Sequence, residues 1–359
     1  MKNFLSIITL VLLFAACKKQ ELVAPVTNQL KETTLNDIPF PAPSYFWQQV
    51  STGFPNQYPY NDYTSSNILM TVDGDVYLLA GSVMEYNYRF NHTLRKFEPH
   101  TFSSTDGNAF GSIAFGGYMP LFSYGSKIYA GIAEHDPNYF FSVDPITGIS
   151  QSLQPYPGTY DLTPVSFTVG NKGYVISGCT SSQTCKVWEY DFAANTWTNV
   201  GNSPLGKRSG AVAFVLNNKV YMGLGYETTV FNGQTIRVYK KDWIEYTPGA
   251  SYHAVKANFP GTGRSAALGF VMNNSLYLGF GSNLYSGRFK DFWRYNASTN
   301  TWTQQAAWPG AFDEGNPNAG YISPRNVVIF SSGNRGYLVR GALNQFWHFT
   351  NSPVITPTN

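Results

Sequence analysis

The sequence predicts an all-β fold, a six-bladed β-propeller, and three observations support this prediction. A short segment of the form turn, apolar residue, Tyr, apolar residue, Gly recurs six times, at intervals of about 45 to 60 residues. An internal period near 50 residues in a β-patterned chain is typical of four-stranded sheets repeated around an axis. Each segment also follows two residues that tolerate the positive φ of a tight hairpin turn. The six tyrosines are Tyr77, Tyr129, Tyr174, Tyr221, Tyr277 and Tyr337.

Each tight turn joins the first two strands of a predicted blade. The fifth repeat shows the whole unit, with strands expected at residues 265–272, 275–281, 291–297 and 301–306. In the fourth repeat we expect strands at 209–216, 219–225, 235–241 and 243–248, so that residues 235–241 are the third strand. The six turns are Asp73-Gly74, Gly125-Ser126, Gly170-Asn171, Asn217-Asn218, Asn273-Asn274 and Gly333-Asn334.

The sixth repeat supplies only three strands before the chain ends. Its missing fourth strand matches the segment Tyr45-Phe46-Trp47-Gln48-Gln49, which resembles Thr301-Trp302-Thr303-Gln304-Gln305 at the end of the fifth repeat. An N-terminal strand in this position closes the ring and leaves no inner sheet edge unpaired. The sequence therefore predicts that the last blade contains both ends of the propeller.

Paired aromatic residues follow the glycine that ends the second strand in three repeats. They are Trp188/Tyr190 with Trp197, Trp293/Tyr295 with Trp302, and Trp347/Phe349. On these residues the chain resembles the kelch-repeat β-propellers, such as the central domain of galactose oxidase, over about residues 44–350. It departs from their pattern because most second strands end in one glycine instead of two, and the first two repeats lack tryptophan. The resemblance implies that the rings form the core between blades.

The N-terminus has the pattern of an export signal. Lys2 precedes an apolar run from Phe4 to Phe14, which is too short to span a membrane. Cys17 directly follows two alanines and resembles the lipobox of bacterial lipoproteins, which implies cleavage after residue 16 and acylation of the Cys17 thiol. The alternative is an ordinary secretory peptide cut near Ala16. We expect an exported protein that its lipid anchors to the outer membrane of a Gram-negative bacterium, on the periplasmic or the cell-surface side.

Four segments follow from these patterns. They are a signal peptide at 1–16, a lipidated cysteine with a flexible tether at 17–43, the propeller at 44–350 and a tail at 351–359. The tether lacks strand or helix periodicity and ends in a proline cluster. After Leu13 no run approaches the ~20 apolar residues of a membrane helix, so the lipid is the expected membrane contact.

The charge of the chain excludes one class of partner. The formal net charge is only +3 and no basic cluster occurs, whereas nucleic-acid binding depends on concentrated positive charge. We expect a monomer without a cofactor, whose partner is a glycan, an acidic small molecule or a protein.

The face that carries the long connections is the expected binding surface. In an up-and-down blade the second-to-third and fourth-to-first connections leave the same face, and here they are long at 81–93, 225–235, 281–291, 52–64, 251–263 and 307–323. Their aromatic rings suit the apolar faces of sugars or hydrophobic peptide side chains; alternatively, the rings cover the blades. We expect Tyr252, Tyr285, Trp308 and Glu227 to contact ligand. The other loop aromatics are Phe54, Tyr58, Tyr60, Tyr63, Tyr86, Tyr88, Phe231, Phe259, Phe312 and Tyr321.

Three arginines occupy equivalent places just before an innermost strand. They are Arg208, Arg264 and Arg325, and the repeat places them around one channel mouth. Guanidinium groups bind carboxylates through two donors, which predicts an acidic ligand. The alternative is that each arginine binds loop carbonyls or pairs with Asp313, Glu314 or Glu227.

The mature cysteines other than Cys17 bracket a short loop. Cys179 and Cys185 are separated by Thr-Ser-Ser-Gln-Thr between two predicted paired strands. A disulfide between them is expected outside the cytoplasm.

The sequence gives little support for catalysis. The five histidines, His92, His100, His135, His253 and His348, lie in separate repeats and form no close metal-ligand pair. Residues 261–266 match a loose dinucleotide fingerprint but lead into a strand, whereas that fingerprint requires a helix. We therefore expect a binding protein without a metal. One alternative is an enzyme like the sialic acid mutarotase of Gram-negative periplasm, with a base among Glu85, Glu134, Glu227, Asp313 and Glu314. A copper-radical oxidase of the galactose oxidase type is the least favoured.

Overall fold

The computed structural model describes residues 44–50, 68–80, 86–100, 122–131, 140–158, 164–176, 185–250, 252–310, 327–340 and 345–351. Within these ranges all regular secondary structure is β-strand, and Pro43–Asn359 forms one compact unit. No helix capable of crossing a membrane occurs in this part of the chain. The strands form six four-stranded antiparallel sheets, so the predicted six-bladed propeller is confirmed.

The first described strand, β1 (Phe46–Val50), belongs to the last blade, and blades one to three follow it in simple chain order. Blade one contains β2 (Ile68–Val72), β3 (Asp75–Ala80), β4 (Tyr86–Asn91) and β5 (Lys96–Pro99). Blade two contains β6 (Phe122–Tyr124), β7 (Lys127–Ala130), β8 (Phe141–Val143) and β9 (Ser150–Ser152). Blade three contains β10 (Val165–Val169), β11 (Lys172–Ile176), β12 (Lys186–Asp191) and β13 (Thr196–Asn202).

Blades four and five each contain an additional two-stranded hairpin between their second and third strands. Blade four consists of β14 (Val212–Leu216), β15 (Lys219–Gly223), β18 (Trp243–Tyr246) and β19 (His253–Val255), with the hairpin β16 (Tyr226–Phe231) and β17 (Gln234–Tyr239). Blade five consists of β20 (Leu268–Met272), β21 (Ser275–Gly279), β24 (Phe292–Asn296) and β25 (Thr301–Gln305), with the hairpin β22 (Ser282–Asn283) and β23 (Gly287–Arg288).

The strand assignment predicted for blade four is wrong in its second half. Residues 235–241 were the expected third strand, but Gln234–Tyr239 pairs only with β16, and Trp243–Tyr246 pairs with β15. The reason is the aromatic spacing of the third strand: Trp243 and Tyr246 lie opposite Gly223 and Val220, as Phe292 and Tyr295 lie opposite Gly279 and Leu276. Consequently Tyr252, between β18 and β19, lies in a third-to-fourth connection, on the face opposite the hairpins.

Blade six closes the ring in the predicted way. It consists of β26 (Val328–Ser332), β27 (Arg335–Arg340) and β28 (Gln345–Thr350), with β1 as its outermost strand. Phe46 lies opposite Thr350 and Val50 opposite Phe346. The innermost strands contact one another around the whole ring, including β26 against β2.

Aromatic residues fill the spaces between neighbouring blades. Phe270 and Phe292 of blade five pack with Trp47 and Phe349 of blade six in one buried cluster. Equivalent clusters lie between blades six and one, two and three, three and four, and four and five. Because these blades bury their flat faces against each other, the rings have a structural role.

A tryptophan of the outermost strand hydrogen-bonds to the segment that follows the last strand of the preceding blade. In blade five, the Trp302 indole N–H donates to the carbonyl oxygen of Ala257 (2.9 Å), and the Asn300 side chain accepts from the Ala257 N–H (2.9 Å) and from the Tyr295 hydroxyl (2.9 Å). Blade three repeats all three bonds with Trp197, Asn195, Gln154 and Tyr190.

Candidate functional site

The inserted hairpins β16–β17 and β22–β23, here called the hairpin pair, pack against each other on the face of the long connections. The Tyr285 hydroxyl donates to the carbonyl oxygen of Arg237 (3.2 Å), and the Leu284 N–H donates to the Tyr239 hydroxyl (3.1 Å). The rings of Tyr239 and Tyr285 meet edge to face, with centroids 6.1 Å apart at 89°. Two neighbouring blades thus present one continuous raised surface.

The bases of both hairpins are held to the segments before the innermost strands. Ser209 forms a backbone bridge with Tyr226, and Ser265 forms the equivalent bridge with Ser282. In addition, the Asn283 side chain donates to the carbonyl oxygen of Gly263 (2.9 Å). The hairpin pair is therefore anchored at its base as well as between its members.

Arg264, one of the predicted ligand contacts, lies inside the protein. It is 0% exposed and donates through Nη1 and Nη2 to the two carboxylate oxygens of Asp291 (2.6 and 2.8 Å). It also donates to the carbonyl oxygens of Phe280 and Thr262 (both 2.9 Å). Burial lowers the pKa of Arg264, and the Asp291 carboxylate opposes this shift.

Arg264 also stacks against aromatic rings. Its guanidinium carbon lies 4.1 Å from the ring centroid of Phe289 and 4.8 Å from that of Phe259. The Asp291 carboxylate accepts a further hydrogen bond from the Trp293 indole (2.8 Å). The ion pair is thus enclosed by aromatic rings at the base of the blade five hairpin.

Blade four repeats this arrangement with Arg208. Its Nη1 and Nη2 donate to the Asp242 carboxylate (2.8 and 2.9 Å), to the carbonyl oxygen of Leu224 (2.8 Å) and to that of Leu205 (3.2 Å). Arg208 is buried. The third predicted arginine, Arg325, lies outside the described residues.

Arg208 and Arg264 pair with Asp242 and Asp291, and not with the predicted alternatives Asp313, Glu314 and Glu227. Each aspartate directly precedes the first aromatic residue of a third strand, and this repeated position could have identified it. Glu227 instead pairs with Lys240 within the blade four hairpin and its flank.

The predicted ligand-contacting aromatics lie in different environments. Tyr285 is 68% exposed on the hairpin pair. Tyr252 is 77% exposed, but it lies in the third-to-fourth connection of blade four, on the opposite face. Trp308 is buried between blades five and six, against Phe280 and Trp347.

The remaining loop aromatics divide in the same way. Phe231 is exposed at the tip of the blade four hairpin, Phe259 is buried, and Tyr88 is a buried residue of β4 instead of a loop residue. Phe54, Tyr58, Tyr60, Tyr63, Phe312 and Tyr321, and the side chain of Tyr86, lie outside the described residues.

The histidines, cysteines and acids are the candidates for metal and disulfide chemistry. Among the described residues no three or more His, Cys, Asp or Glu side chains are grouped as metal ligands. Cys185 is buried, but Cys17 and Cys179 lie outside the described residues, so the disulfide and the lipidation stay predictions. The acids Glu85, Glu134, Asp313 and Glu314 also lie outside them.

Comparisons with known proteins support the fold. No protein-family model and no curated protein matches the chain. Among solved structures, "Structure of YjhT" is similar, with a TM-score of 0.50 and 15% sequence identity over 62% of this chain and 71% of that one. At this identity the likeness concerns the fold alone, and it agrees with the six-bladed propeller described above.

Proposed function

We propose that the protein is an exported lipoprotein whose propeller binds a ligand, a glycan or a protein, through the hairpin pair. The observation that carries this proposal is a fixed but exposed surface. Tyr285 is held by its hydroxyl and by the edge of Tyr239 and still exposes 68% of its area. Exposed apolar groups on a rigid scaffold are typical of binding sites.

Neighbouring side chains extend this surface. Val230 and Phe231 of the blade four hairpin are 70% and 63% exposed, and Leu284 beside Tyr285 is 50% exposed. The base of the blade four hairpin also carries the ion pair of Lys240 with Glu227. A flat apolar ring beside polar groups suits a sugar ring or an apolar peptide side chain, because both present apolar and hydrogen-bonding parts.

The arginine pairing favours binding over catalysis of the mutarotase type. Such an enzyme needs a cation that grips the substrate carboxylate, and both Arg208 and Arg264 already bind an aspartate through two nitrogens. If either arginine bound a substrate carboxylate instead, the negative charge of its aspartate would be left without a partner. The proposed ligand surface therefore lies above these ion pairs, on the hairpins that they support.

A glycan array tests the proposal directly. The mature chain carrying Cys17→Ser, which removes the proposed lipidation site, is applied to the array, and any retained glycan is titrated against variants. We expect Tyr285→Ala to weaken binding by about tenfold, equivalent to about 1.4 kcal/mol. Tyr252→Ala is the matched control, because Tyr252 is also an exposed tyrosine but lies on the opposite face. This variant should bind like the parent.

The two variants also separate the outcomes. Equal weakening by Tyr285→Ala and Tyr252→Ala, or none by either, would overturn the hairpin pair as the binding surface. Retention of no glycan would overturn the glycan form of the proposal. The lipid is tested separately, by palmitate labelling of cells that express the parent and the Cys17→Ser chain.

A further inference from the structure

One repeated position distinguishes blade six from the others. In each blade the second-strand tyrosine lies opposite a third-strand residue. In four blades the third-strand residue binds the side chain of the residue two positions before the tyrosine. The contact is an ion pair in three blades and a hydrogen bond in the fourth. The pairs are Arg89 with Asp75, Glu189 with Lys172, Glu245 with Lys219, and Arg294 with Ser275.

Blade six places two basic residues at these positions. Arg335 stands two positions before Tyr337, and His348 lies opposite that tyrosine. The position that holds Glu189 in blade three and Glu245 in blade four is therefore occupied by a second base. A protonated histidine here would repel Arg335, whereas the glutamates attract their lysines.

Among the residues that the structure describes, none compensates a positive charge on His348. The side chain is 2% exposed, and neither ring nitrogen has a hydrogen-bond partner among the described residues. Its ring meets the rings of Tyr337 (4.8 Å) and Phe346 (5.1 Å) edge to face. Buried charges without a partner are strongly disfavoured.

Within the described ranges, the charged groups that act on His348 come from two blades and have the same sign. Arg335 belongs to β27 of the same sheet, and Arg95 belongs to the turn between β4 and β5 of blade one. On the third neighbouring element, β1, the residue opposite His348 is the uncharged Gln48. Burial first, and then Arg335 and Arg95, lower the pKa of His348 to about 4. Burial also raises the pKa of Tyr337, which stays neutral.

We propose that blade six is an acid-sensitive closure of the ring: protonation of His348 adds a positive charge beside Arg335 and Arg95 and loosens the blade that holds β1. The direction of the pH effect follows from the linkage between proton binding and folding. The unfolded chain takes up this proton near pH 6.5, whereas the folded chain takes it up only near pH 4. Stability from neutral His348 is complete above pH 6.5 and decreases as the pH falls through this window.

Chemical unfolding at pH 7 and pH 5 tests the proposal. The parent chain is compared with His348→Phe, which keeps an aromatic ring but cannot be protonated. Between pH 7 and pH 5 we expect the unfolding equilibrium constant of the parent to rise on the order of tenfold more than that of His348→Phe. His253→Phe is the matched control; His253 is exposed on β19, and this variant should behave like the parent. An equal rise in the parent and His348→Phe would overturn the proposal.

Hydrogen exchange of the parent chain provides a test that needs no variant. Exchange rates are measured at several pH values between 7 and 5 and corrected for the intrinsic exchange rate. As the pH is lowered, we expect the amides of β1 and β28 to lose protection at a higher pH than those of β14 and β15. Simultaneous loss in blades four and six would show a general effect of acid and would overturn the local closure.

Discussion

Trp47 donates its indole N–H to the carbonyl oxygen of Ala306 at 3.1 Å, although the two residues are 259 positions apart in sequence. Trp47 belongs to β1 of blade six, and Ala306 follows β25 of blade five. The bond is the blade six equivalent of those that Trp197 and Trp302 make within the ring. The closing strand is therefore held by its neighbour blade as well as by its pairing with β28.

Removal of the closing strand should destabilise the whole domain. Deletion of residues 44–51 exposes the outer edge of β28 and removes Trp47 from the cluster between blades five and six. We expect a clear fall in the thermal midpoint, measured by circular dichroism. Deletion of 18–40 is the control and should leave it unchanged. If both truncated chains melt at the parent temperature, β1 does not close the ring.

Arg264→Ala should destabilise the fold. The substitution leaves Asp291 without its cation and two carbonyl oxygens without their donor. Breaking a buried ion pair costs about 3 kcal/mol, which chemical denaturation would detect. Lys207→Ala removes an exposed cation from the equivalent segment of blade four and should have little effect.

A double-mutant cycle separates the pair from the side-chain volume. Asp291→Ala combined with Arg264→Ala should show a coupling energy of about 1 kcal/mol or more between the two sites. Additive losses would show that the two side chains act independently, contrary to the geometry.

Gly336→Ala should destabilise the contact between blades five and six. A Cβ at this position would overlap the ring of Phe270, which belongs to the innermost strand of blade five. Overpacking of a core costs about 1–3 kcal/mol. Gly173→Ala is a milder test, because its Cβ would stand 3.1 Å from the Phe122 ring. A Gly336→Ala protein as stable as Gly173→Ala would contradict the tight packing.

Cys179 and Cys185 should form a disulfide in the exported protein. Intact mass measured before and after reduction should increase by about 2 Da, because two thiols replace one bond. Since the loop is short, we expect a loss of only about 2 kcal/mol on reduction. An unchanged mass, with both thiols open to alkylation in the unreduced protein, would contradict the pairing.

The repeated features of the fold were predictable because each blade shows them locally. The tight turns and the tyrosine of the second strand recur in sequence, and Trp47 identified the closing strand by its likeness to Trp302. The hairpin of blade four was not recognised, because Gln234–Tyr239 has the composition of a blade strand and only its pairing with β16 excludes it. Local β-propensity does not specify the partner of a strand.

The candidate site was harder to predict than the fold. Arg208 and Arg264 are 34 and 27 residues before the aspartates that bind them, so their pairing depends on how the blade folds. Tyr252 lies on the face opposite to the predicted one, because the third strand of blade four was expected at 235–241 and is Trp243–Tyr246. Tyr285 was identified correctly as exposed, but its contact with the blade four hairpin depends on an insertion that the sequence did not reveal.

Because Phe46 lies opposite Thr350, the two ends of the propeller meet in a single sheet. A short linker from residue 351 to residue 44 would convert the chain into a covalent circle with no strand left over. That circle could be opened at another tight turn, such as Asn217-Asn218, to give a circular permutant in which blade six is continuous and blade four carries both termini. The order of the blades around the axis would be the same, so the architecture does not depend on where translation begins.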